Sequence, residues 1–505
     1  DKYAGVSASF FLAVIAGAMH RTSAGFFEKE PIGTFLMMTT LYFFVRAWKR
    51  EERISGIVSG LALGFFSVSW GGSRMIWLLY PLTVGTLALI DVDIKKLIIA
   101  YTPTVLIATL IGSAMNPSRL WITQSWVLAN LALVGLLWIR YTAEELELVS
   151  KEQLPYIVPG LSIFGGIFAA ISPLFLSGFF ASRIMGIINQ VTQATGSDVI
   201  AGTVAENTPA TLGQLVTQLG ATSAFRVNGT LGLIANIGGT WPLAFIGIPM
   251  LGTVVAIMAA KRFNLIDKTS IERRSFYKLF VAVLFAWVLG FSFFFQSSIL
   301  ISVMPALLVV FAGFVFIYMM KGFEGEIEIE QNWYIVLPFF WAVTNVLGAV
   351  MKSRLVFLAT FSVATMAGYA FSRAALRLRE FDYSVIDPDN AVQIKAGLIA
   401  IVIILVASVN LASGYAASNG LGGSPNQLWM ENLEYMDANT SQDSVMLSWW
   451  DYGYWFETIG NRAAIADGGN QKYYSDRRFG KINYPLADFL TGSNPENHTE
   501  FLNKH

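Results

Sequence analysis

The sequence predicts an α-helical polytopic membrane protein that continues into a soluble mixed α/β domain. Of its 505 residues, 54% are hydrophobic and only 13% are charged, and the mean hydropathy is +0.55. The apolar residues form runs of about 20, the length that an α-helix needs to cross the hydrocarbon core of a bilayer. Residues 413–505 differ, because they mix turn residues, an amphipathic stretch and aromatic side chains, as a soluble domain does.

The composition also restricts the chemistry. The chain has no cysteine, which excludes disulfides, thiol catalysis and cysteine-ligated metals. Its three histidines (His20, His498 and His505) are too few for a histidine-rich metal site, so any metal would be held by oxygen. The formal net charge is zero, which provides no global basic field for nucleic acid. We therefore expect the membrane, and no nucleic acid, as a partner.

The apolar runs predict thirteen membrane spans. They lie at residues 4–20, 31–47, 55–70, 75–91, 97–115, 122–140, 156–179, 241–260, 279–296, 298–320, 333–351, 355–373 and 396–412. Residues 1–412 are thus expected to form a multi-span transmembrane catalytic domain. Residues 413–505 are expected to start an extracytoplasmic domain that is cut short at residue 505.

The distribution of loop charges predicts the orientation of the spans, because lysine and arginine are retained on the cytoplasmic side. One alternating set of loops, which includes Arg140, holds nineteen of these residues, and the other set holds eight. The set with fewer lysines and arginines is therefore expected on the extracytoplasmic side. It contains the short loop 21–30 and the long loop 180–240, and residues 413–505 follow on the same side.

Loop 21–30, with the sequence RTSAGFFEKE, carries two carboxylates beside the membrane surface. In an extended loop, Glu28 and Glu30 would point the same way. Two converging carboxylates repel each other unless a cation lies between them, and a divalent metal with oxygen ligands would meet that need. Arg21 could hold an anionic group nearby. The alternative is a solvated charged loop between two helices.

Two further charged residues are expected on the outer face. Glu206 lies in the long loop, which is long enough to act as a functional lid. Arg354 lies between two apolar spans, where an arginine is costly and usually pairs with an anion. Its planar guanidinium suits phosphate oxygens. The alternatives are an isolated carboxylate for Glu206 and snorkelling of the Arg354 side chain to the lipid headgroups.

The stretch SWWDYGYW, residues 448–455, is the most specific signal in the chain. Trp449, Trp450, Asp451, Tyr452 and Gly453 resemble the WWDYG signature of the catalytic subunit of oligosaccharyltransferase. The following NRAAIADGGNQ, residues 461–471, is similar to the family's continuation. The structural alternative is an aromatic corner packed at the membrane interface.

The resemblance extends to the other outer segments. Glu28-Lys29-Glu30 is similar to the family's second acidic motif, and Arg21 stands where the family has an arginine before it. Residues 203–206 resemble the Thr/Ser-x-x-Glu motif of the mobile outer loop. Arg354 is similar to the arginine that meets the lipid-linked pyrophosphate. The first-loop metal-binding aspartate is expected before residue 1, and the Asp-x-x-Lys-type motif after residue 505.

The resemblance implies a GT-C-type glycosyltransferase that moves a glycan from a dolichol-type lipid (pyro)phosphate to the asparagine of Asn-x-Ser/Thr, with inversion. It implies that Glu28 and Glu30 hold Mn²⁺ or Mg²⁺, that Glu206 acts on the acceptor amide, and that Arg354 and Arg21 clamp the phosphate. Residues 449–453 would bind the acceptor protein. The absence of cysteine and the DGGNQ sequence favour an archaeal, single-subunit enzyme in the cell membrane, with its active site on the extracytoplasmic face.

Two alternatives stay open at this point. Another membrane glycosyltransferase that uses polyprenyl-phosphate sugars would share the acidic outer loops but would not need WWDYG. A transporter would place ionisable residues in the middle of the membrane, at broken helices. Three glycosylation sequons, at Asn228, Asn439 and Asn497, all fall in segments assigned to the outer face.

Overall fold

The computed structural model describes residues 2–22, 29–90, 93–115, 124–150, 153–171, 240–262, 333–380, 388–419 and 425–467, with single residues at 122, 210 and 499. The chain divides into two compact units, Asp1–Ser418 and Asn419–His505. The described part is mostly helical, as the composition predicts.

The helices of the first unit follow the apolar runs. Those within the described ranges are α1 (Lys2–Val14), α2 (Ala16–Thr22), α3 (Lys29–Arg50), α4 (Arg53–Ser69), α5 (Arg74–Leu89), α6 (Ile94–Met115), α7 (Ser125–Glu145), α8 (Leu154–Ile171), α9 (Thr240–Arg262), α10 (Val336–Met351), α11 (Val356–Glu380) and α12 (Pro388–Asn419). Short 3₁₀ turns at Gly71–Ser73, Trp333–Ile335 and Ser353–Leu355 precede α5, α10 and α11.

Helices occupy eleven of the thirteen predicted spans, and the spans at 279–296 and 298–320 fall outside the described residues. Within the described part of the chain, four helices are both long and apolar enough to cross a membrane: Ile94–Met115, Ser125–Glu145, Ser353–Leu376 and Val392–Ala412. Shorter apolar helices accompany them at Lys2–Val14, Arg53–Ser69 and Trp333–Ala349.

Two helices rather than one occupy the predicted span at 4–20. The chain leaves the helix at Ile15, between α1 and α2, and the N–H groups of Ala18 and Met19 both donate to the Ile15 carbonyl at 3.1 Å. Gly17 follows closely, and glycine has a low helix propensity, so a break in the helix costs less there. Apolar length alone does not reveal such a break.

Close helix packing centres on α4, which lies against α3 and α6. A Cβ at Gly60 would lie 2.8 Å from the Pro103 carbonyl oxygen, and one at Gly64 would lie 2.7 Å from Ile111 Cδ1. Gly56 approaches α6 in the same way. Small residues four apart let two helix backbones approach closely, and in a membrane this contact replaces the hydrophobic effect as a source of association.

Buried polar groups fix the neighbouring helices. Asn130 of α7 accepts from the Tyr101 hydroxyl of α6 at 2.7 Å and donates to the Trp77 carbonyl of α5 at 2.8 Å. Arg140 is also buried, and its guanidinium donates to the Ala88 carbonyl near the end of α5. The expectation that Arg140 belongs to a loop is therefore wrong: carbonyls in the last turn of a helix lack intrahelical donors, and this arginine supplies one.

Helix α11 is the centre of the second half of this unit, because α1, α9 and α10 all pack against it. Phe11 of α1 and Phe371 of α11 meet edge to face, with ring centroids 5.7 Å apart. The helix order therefore brings the start of the chain against a segment more than 300 residues later. This arrangement positions the start of α11 near the start of α3.

The second unit combines short helices with a small parallel sheet. Helix α13 spans Gln427–Asn439, strand β1 spans Val445–Met446, helix α14 spans Gly453–Thr458, and strand β2 spans Ala463–Ala464. Val445 pairs with Ala463 and Met446 pairs with Ala464. Asn426 caps the start of α13 by accepting the Trp429 N–H at 3.0 Å. The mixed α/β character predicted for this part is confirmed.

Candidate functional site

Glu30 lies in the first turn of α3, with only 1% of its surface exposed, whereas Lys29 beside it is exposed. The expectation of an extended loop through residue 30 is wrong, because the helix already begins at Lys29. A carboxylate in the first turn is stabilised by the positive end of the helix dipole. Because Glu30 is helical and not extended, the extended-chain reason for pairing it with Glu28 does not apply to Glu30.

Arg354 lies in the 3₁₀ turn between α10 and α11 and faces Glu30. Its Nη2 is 3.6 Å from Glu30 Oε1, and its side chain is 28% exposed. The separation is that of an ion pair rather than a hydrogen bond. The structure thus brings together two predicted site residues that lie far apart in the sequence.

Several helix ends meet around this ion pair. A Cβ at Gly33 of α3 would lie 2.7 Å from the Trp70 ring at the end of α4, and Trp70 in turn lies 6.3 Å from the Phe357 ring of α11, between centroids. A Cβ at Gly348 of α10 would lie 3.1 Å from Met75 Sδ at the start of α5. The starts of α3, α5 and α11 therefore converge, and each presents the positive end of its dipole.

Lys352 and Arg74 belong to the same group of helix ends. Lys352 follows the last residue of α10, and Arg74 is the first residue of α5. Burial, and then the nearby charge of Arg74, lower the pKa of the Lys352 amine. Both residues are among the eight lysines and arginines of the loops that the charge distribution assigns to the outer face. The sequence signal for them was their position at the ends of apolar runs. Arg74 directly follows WGGS, and Lys352 lies within MKSR.

Arg21 lies near the end of α2, which packs against α3 and α11. Glu28 and Glu206 fall outside the described residues. Within the described ranges, no group of three or more His, Asp or Glu side chains could hold a metal ion. Glu30 supplies hard carboxylate oxygens of the kind that Mg²⁺ and Mn²⁺ prefer, so its chemistry fits such a metal once further carboxylates join it.

The WWDYG segment forms a 3₁₀ turn that leads into α14. Residues Trp450–Tyr452 make the turn, and the Tyr452 N–H donates to the Trp449 carbonyl at 3.1 Å. Trp449 is half-buried and Asp451 is exposed. The side chain of Trp450 lies outside the described part of the structure. The exposed carboxylate on a tight turn is positioned to accept a hydrogen bond from an approaching group.

Tyr452 belongs to an aromatic cluster that the sequence analysis missed. Its ring stacks on Trp429 of α13 at 5.0 Å, and Trp455 meets both rings at 5.1 and 5.3 Å. Phe456 completes the cluster at 6.2 Å from Trp429. Because these rings come from two separate helices, they fix the WWDYG turn against α13. The only sequence signal for Trp429 was its aromatic character in an amphipathic stretch.

Gly453 and Arg462 fix the backbone behind the turn. A Cβ at Gly453 would overlap the Ala466 carbonyl oxygen and lie 2.8 Å from Asp467 Cα, so only glycine fits there. Arg462 is buried, and its Nη2 donates to the carbonyls of Asp437 and Thr440 at 2.7 Å each. Arg462 thereby caps the end of α13, a role that its place in NRAAIA did not indicate.

Comparisons with known families cover both units. Residues 1–364 match the family model for the N-terminal part of the oligosaccharyl transferase STT3, and residues 442–500 match the STT3/PglB/AglB core domain. The first match includes Glu30 and Arg354, and the second includes residues 449–453. The first match alone spans well over half of the chain.

Curated relatives match a shorter segment. A Pyrococcus furiosus protein named dolichyl-phosphooligosaccharide-protein glycotransferase 1 is 33% identical over 24% of this chain and 12% of its own length. The stt3 subunit of the dolichyl-diphosphooligosaccharide–protein glycosyltransferase of Schizosaccharomyces pombe is 33% identical over 21% of this chain and 14% of its own. The matched segments thus cover less than a sixth of these relatives.

A solved structure shares the fold of the whole chain. The Archaeoglobus fulgidus oligosaccharyltransferase, crystallised with a tethered acceptor peptide containing an NVT sequon, superposes with a TM-score of 0.59 at 16% identity. The superposition covers 100% of this chain and 54% of that one. The predicted helical membrane fold with a C-terminal soluble domain is confirmed. The chain belongs to the STT3 family of oligosaccharyl transferases.

Proposed function

We propose that this chain transfers an oligosaccharide from a dolichol-type lipid (pyro)phosphate to the asparagine amide of Asn-x-Ser/Thr in an acceptor protein. The observation that carries the proposal is the buried Glu30 beside Arg354, where the starts of three helices converge. Such a place favours negative charge, which is what a departing phosphate develops. The names of the relatives, and the WWDYG turn in the second unit, support the same activity.

The chemical difficulty is the acceptor amide, whose nitrogen lone pair is delocalised into its carbonyl. A carboxylate that accepts its N–H bonds weakens that conjugation, and Glu206 is our candidate for this role. The nitrogen then attacks the anomeric carbon from the side opposite the leaving oxygen. The carbon–nitrogen bond forms as the carbon–oxygen bond to phosphate breaks, the amide proton passes to the carboxylate, and the configuration is inverted.

The cationic residues would bind the phosphate of the donor. A guanidinium carries five N–H groups, so Arg354 can face Glu30 and also present donors to phosphate oxygens. Arg21, near the end of α2, would add a second guanidinium. Glu30 and Glu28 would hold Mn²⁺ or Mg²⁺, which would supply a Lewis acid for the leaving phosphate.

The WWDYG turn would bind the acceptor protein. Asp451 is exposed on the turn and can accept a hydrogen bond from the hydroxyl of Ser or Thr at the +2 position. Trp449 and Trp450 would wall that pocket. A site built to bind a hydroxyl rejects analogues that lack it strongly, because its own polar group is then left unpaired. The aromatic cluster around Tyr452 holds the turn in a fixed shape.

The test is transfer by the purified protein alone, with a lipid-linked oligosaccharide and a peptide containing Asn-x-Thr. Mass spectrometry should find glycan on the asparagine, and a Gln-x-Thr peptide should stay bare. Chelation should abolish transfer and Mn²⁺ or Mg²⁺ should restore it. Full activity in excess chelator would reject the metal site. Transfer to serine or threonine, or sugar transport without glycopeptide, would reject the proposed reaction.

The proposal includes the setting of the reaction. The chain is a membrane protein, and we place the helix ends that carry Glu30 and Arg354 on the extracytoplasmic face of an archaeal cell membrane. Support comes from the excess of lysine and arginine in the opposite loops. Activity of the purified chain without added proteins would establish that it works as a single subunit.

A further inference from the structure

Trp70 lies between α4 and the 3₁₀ turn that precedes α5, and its backbone is held on both sides. Its N–H donates to the Phe66 carbonyl at 3.0 Å, and its carbonyl accepts from the Ser73 N–H at 3.2 Å. Only 5% of the residue is exposed. A large ring that is closely packed on a fixed backbone moves little, so it can act as a rigid support for the segments around it.

The first segment that packs on this ring is the start of α3. A Cβ at Gly33 would lie 2.7 Å from Trp70 Cε3, and a Cβ at Gly72 would lie 2.8 Å from the same atom. Both separations are shorter than real Cβ contacts, so the ring fills the space between the two glycines. Gly33 is three residues after Glu30, and residues three apart are neighbours on a helix surface. The ring therefore supports the helical turn that carries Glu30.

The second segment is the start of α11. The Phe357 ring lies 6.3 Å from the Trp70 ring, between centroids, and Phe357 is itself buried. Aromatic rings at this separation attract each other beyond the area that they bury. Phe357 is three residues after Arg354, which lies in the turn just before α11. One side chain thus contacts both of the segments that carry the ion pair.

The contact between Glu30 and Arg354 needs such a support. At 3.6 Å it is an ion pair rather than a hydrogen bond, so it restrains the orientation of the two groups only weakly. The start of α3 and the turn before α11 are also more than 300 residues apart in the chain. Positions in a catalytic site matter closely, because a displacement of about 1 Å can slow a reaction about 100-fold.

We propose that Trp70 is a positioning residue: its ring sets the separation between Glu30 and Arg354 and so holds both groups in place for the reaction. This inference rests on the proposed transferase function and adds a residue to it. Trp70 would touch neither the donor nor the reacting atoms. Its loss should therefore lower kcat and leave the KM for the acceptor peptide nearly unchanged.

The kinetic experiment compares two substitutions of Trp70. Trp70→Leu removes the ring, so kcat should fall about 100-fold, as expected for misplaced catalytic groups. Trp70→Phe restores an aromatic ring and should keep kcat at least about tenfold above that of Trp70→Leu. In both variants the KM for the acceptor peptide should stay within about twofold of wild type.

Trp48→Leu is the matched control. Trp48 is as deeply buried as Trp70 but lies at the other end of α3, where its ring packs on Trp333 at 3.6 Å between centroids. Its removal should lower the apparent Tm as Trp70→Leu does, because both leave a cavity of similar size. Its kcat should nevertheless stay within about twofold of wild type, since the start of α3 keeps its support.

A stability experiment tests the positioning without any transfer. The coupling between Glu30 and Arg354 is the non-additive part of the Tm shifts of Glu30→Gln, Arg354→Gln and the double variant. This coupling should be lost in a Trp70→Leu background and kept in a Trp48→Leu background. A ring that only stabilised the fold would lower the Tm of all four proteins equally and leave the coupling unchanged.

Unchanged coupling in the Trp70→Leu background, or an equal loss in the Trp48→Leu background, would overturn the inference. So would a kcat of Trp70→Leu equal to that of wild type, or a kcat of Trp70→Phe no higher than that of Trp70→Leu. If Trp70→Leu does not fold, Trp70→Phe carries both measurements, with smaller losses expected. Absence of transfer by the wild-type protein would reject the proposed function, and the coupling would still show whether the ring positions the two side chains.

Discussion

Arg354 Nη2 lies 3.6 Å from Glu30 Oε1, although Glu30 opens α3 and Arg354 lies in the turn between α10 and α11. The carboxylate is almost wholly buried, whereas the guanidinium keeps part of its surface exposed. The pair therefore links two segments that lie far apart in the sequence: the start of α3 and the turn before α11. It also leaves the cationic partner accessible to a ligand.

Removing Arg354 should destabilise the protein more than removing both partners. Arg354→Gln leaves the buried Glu30 carboxylate without its guanidinium, at a cost of about 1–3 kcal/mol. In a double-mutant cycle with Glu30→Gln, the coupling should be about 0.5–3 kcal/mol in apparent stability. Thermal unfolding of the four purified proteins measures it. Additive effects would show that the two side chains do not interact.

Asp451 and Glu206 should differ in their kinetic signatures. Asp451→Ala removes the proposed acceptor of the +2 hydroxyl, so discrimination between Thr and Ala at +2 should collapse. Glu206→Ala should lower kcat by orders of magnitude and leave +2 selectivity intact, because it acts on the amide rather than on the hydroxyl. The same peptide pair assayed with both variants gives the comparison. Identical behaviour would contradict the division of roles.

Gly453→Ala should unfold the WWDYG turn locally. The new methyl group would overlap the Ala466 carbonyl, a backbone atom that cannot move aside easily, and overpacking of this kind costs typically 1–3 kcal/mol. Hydrogen exchange should become faster across residues 445–467 and acceptor affinity should fall. Tyr454→Ala, at an exposed position of the same short helix, is the matched control and should change neither.

The second unit should lose protection as the pH rises. Burial, and then Asp467, raise the pKa of the Glu457 carboxyl above its ordinary value of 4.5. A raised folded-state pKa contributes stability that is fully present below pH 4.5 and is lost as the pH rises through the raised value. Hydrogen exchange of α14, corrected for the intrinsic rate, should therefore slow as the pH falls from 7 to 4.5.

Glu457→Gln is the control for that pH dependence. The amide does not ionise, so the variant should show nearly the same corrected exchange at both pH values. Because the Glu457 side chain is partly exposed, the difference should be small. An equally large pH effect in this variant would assign the change to another group.

At least one of the three sequons should carry glycan in the native host, and Asn439 should resist modification once the protein has folded. It is the last residue of α13, and its Nδ2 donates to the Tyr435 carbonyl at 2.8 Å. Thr440 is held by Arg462 Nε at 2.9 Å. A folded acceptor amide would have to leave the helix end before its N–H groups could reach a carboxylate.

Glycopeptide analysis tests both parts of this prediction. Native protein should carry glycan at Asn439 or at another of the three sequons, Asn228 and Asn497, which lie outside the described residues. Bare folded protein incubated with enzyme and donor should stay bare at Asn439, whereas Arg462→Ala should become a substrate. Glycan in any loop assigned to the cytoplasm would overturn the predicted topology.

Long apolar runs made the helices predictable, because span length is fixed by the bilayer and not by neighbouring helices. The inward turn of Arg140 was not predictable, because it depends on a contact with α5. The break at Ile15 was not predictable either, because the length of an apolar run does not reveal it. Glu30 was identified from its motif, but its helical setting and its partner Arg354 required the tertiary structure. Trp429 was missed for the same reason, because its role depends on a tertiary contact, the stacking of its ring on Tyr452.

The roles of Glu30, Glu206, Arg21 and Arg354, and of the WWDYG residues, remain predictions. Geometry adds to two of them by bringing Glu30 and Arg354 together. For Lys352 and Arg74, only their position in loops could be predicted from the sequence. Their proximity could not, because like-charged residues at the ends of separate helices give no periodic signal. Charge clusters of this kind become visible only when the helix ends are placed side by side.

The three glycines of α4 that face α6 restrict how this chain can change over evolutionary time. A larger residue at Gly56 or Gly60 would push the two backbones apart, and no single substitution in α6 could make room, because carbonyl oxygens form part of the obstacle. At Gly64 the obstacle is the Ile111 side chain, so a larger residue there would need a smaller one at position 111. Lineages should therefore keep both sides of this contact while the lipid-facing positions of α4, such as Leu61 and Phe65, vary freely among apolar residues. The contact residues of α4 and α6 should therefore be conserved together, and sequence differences between relatives should concentrate at other positions.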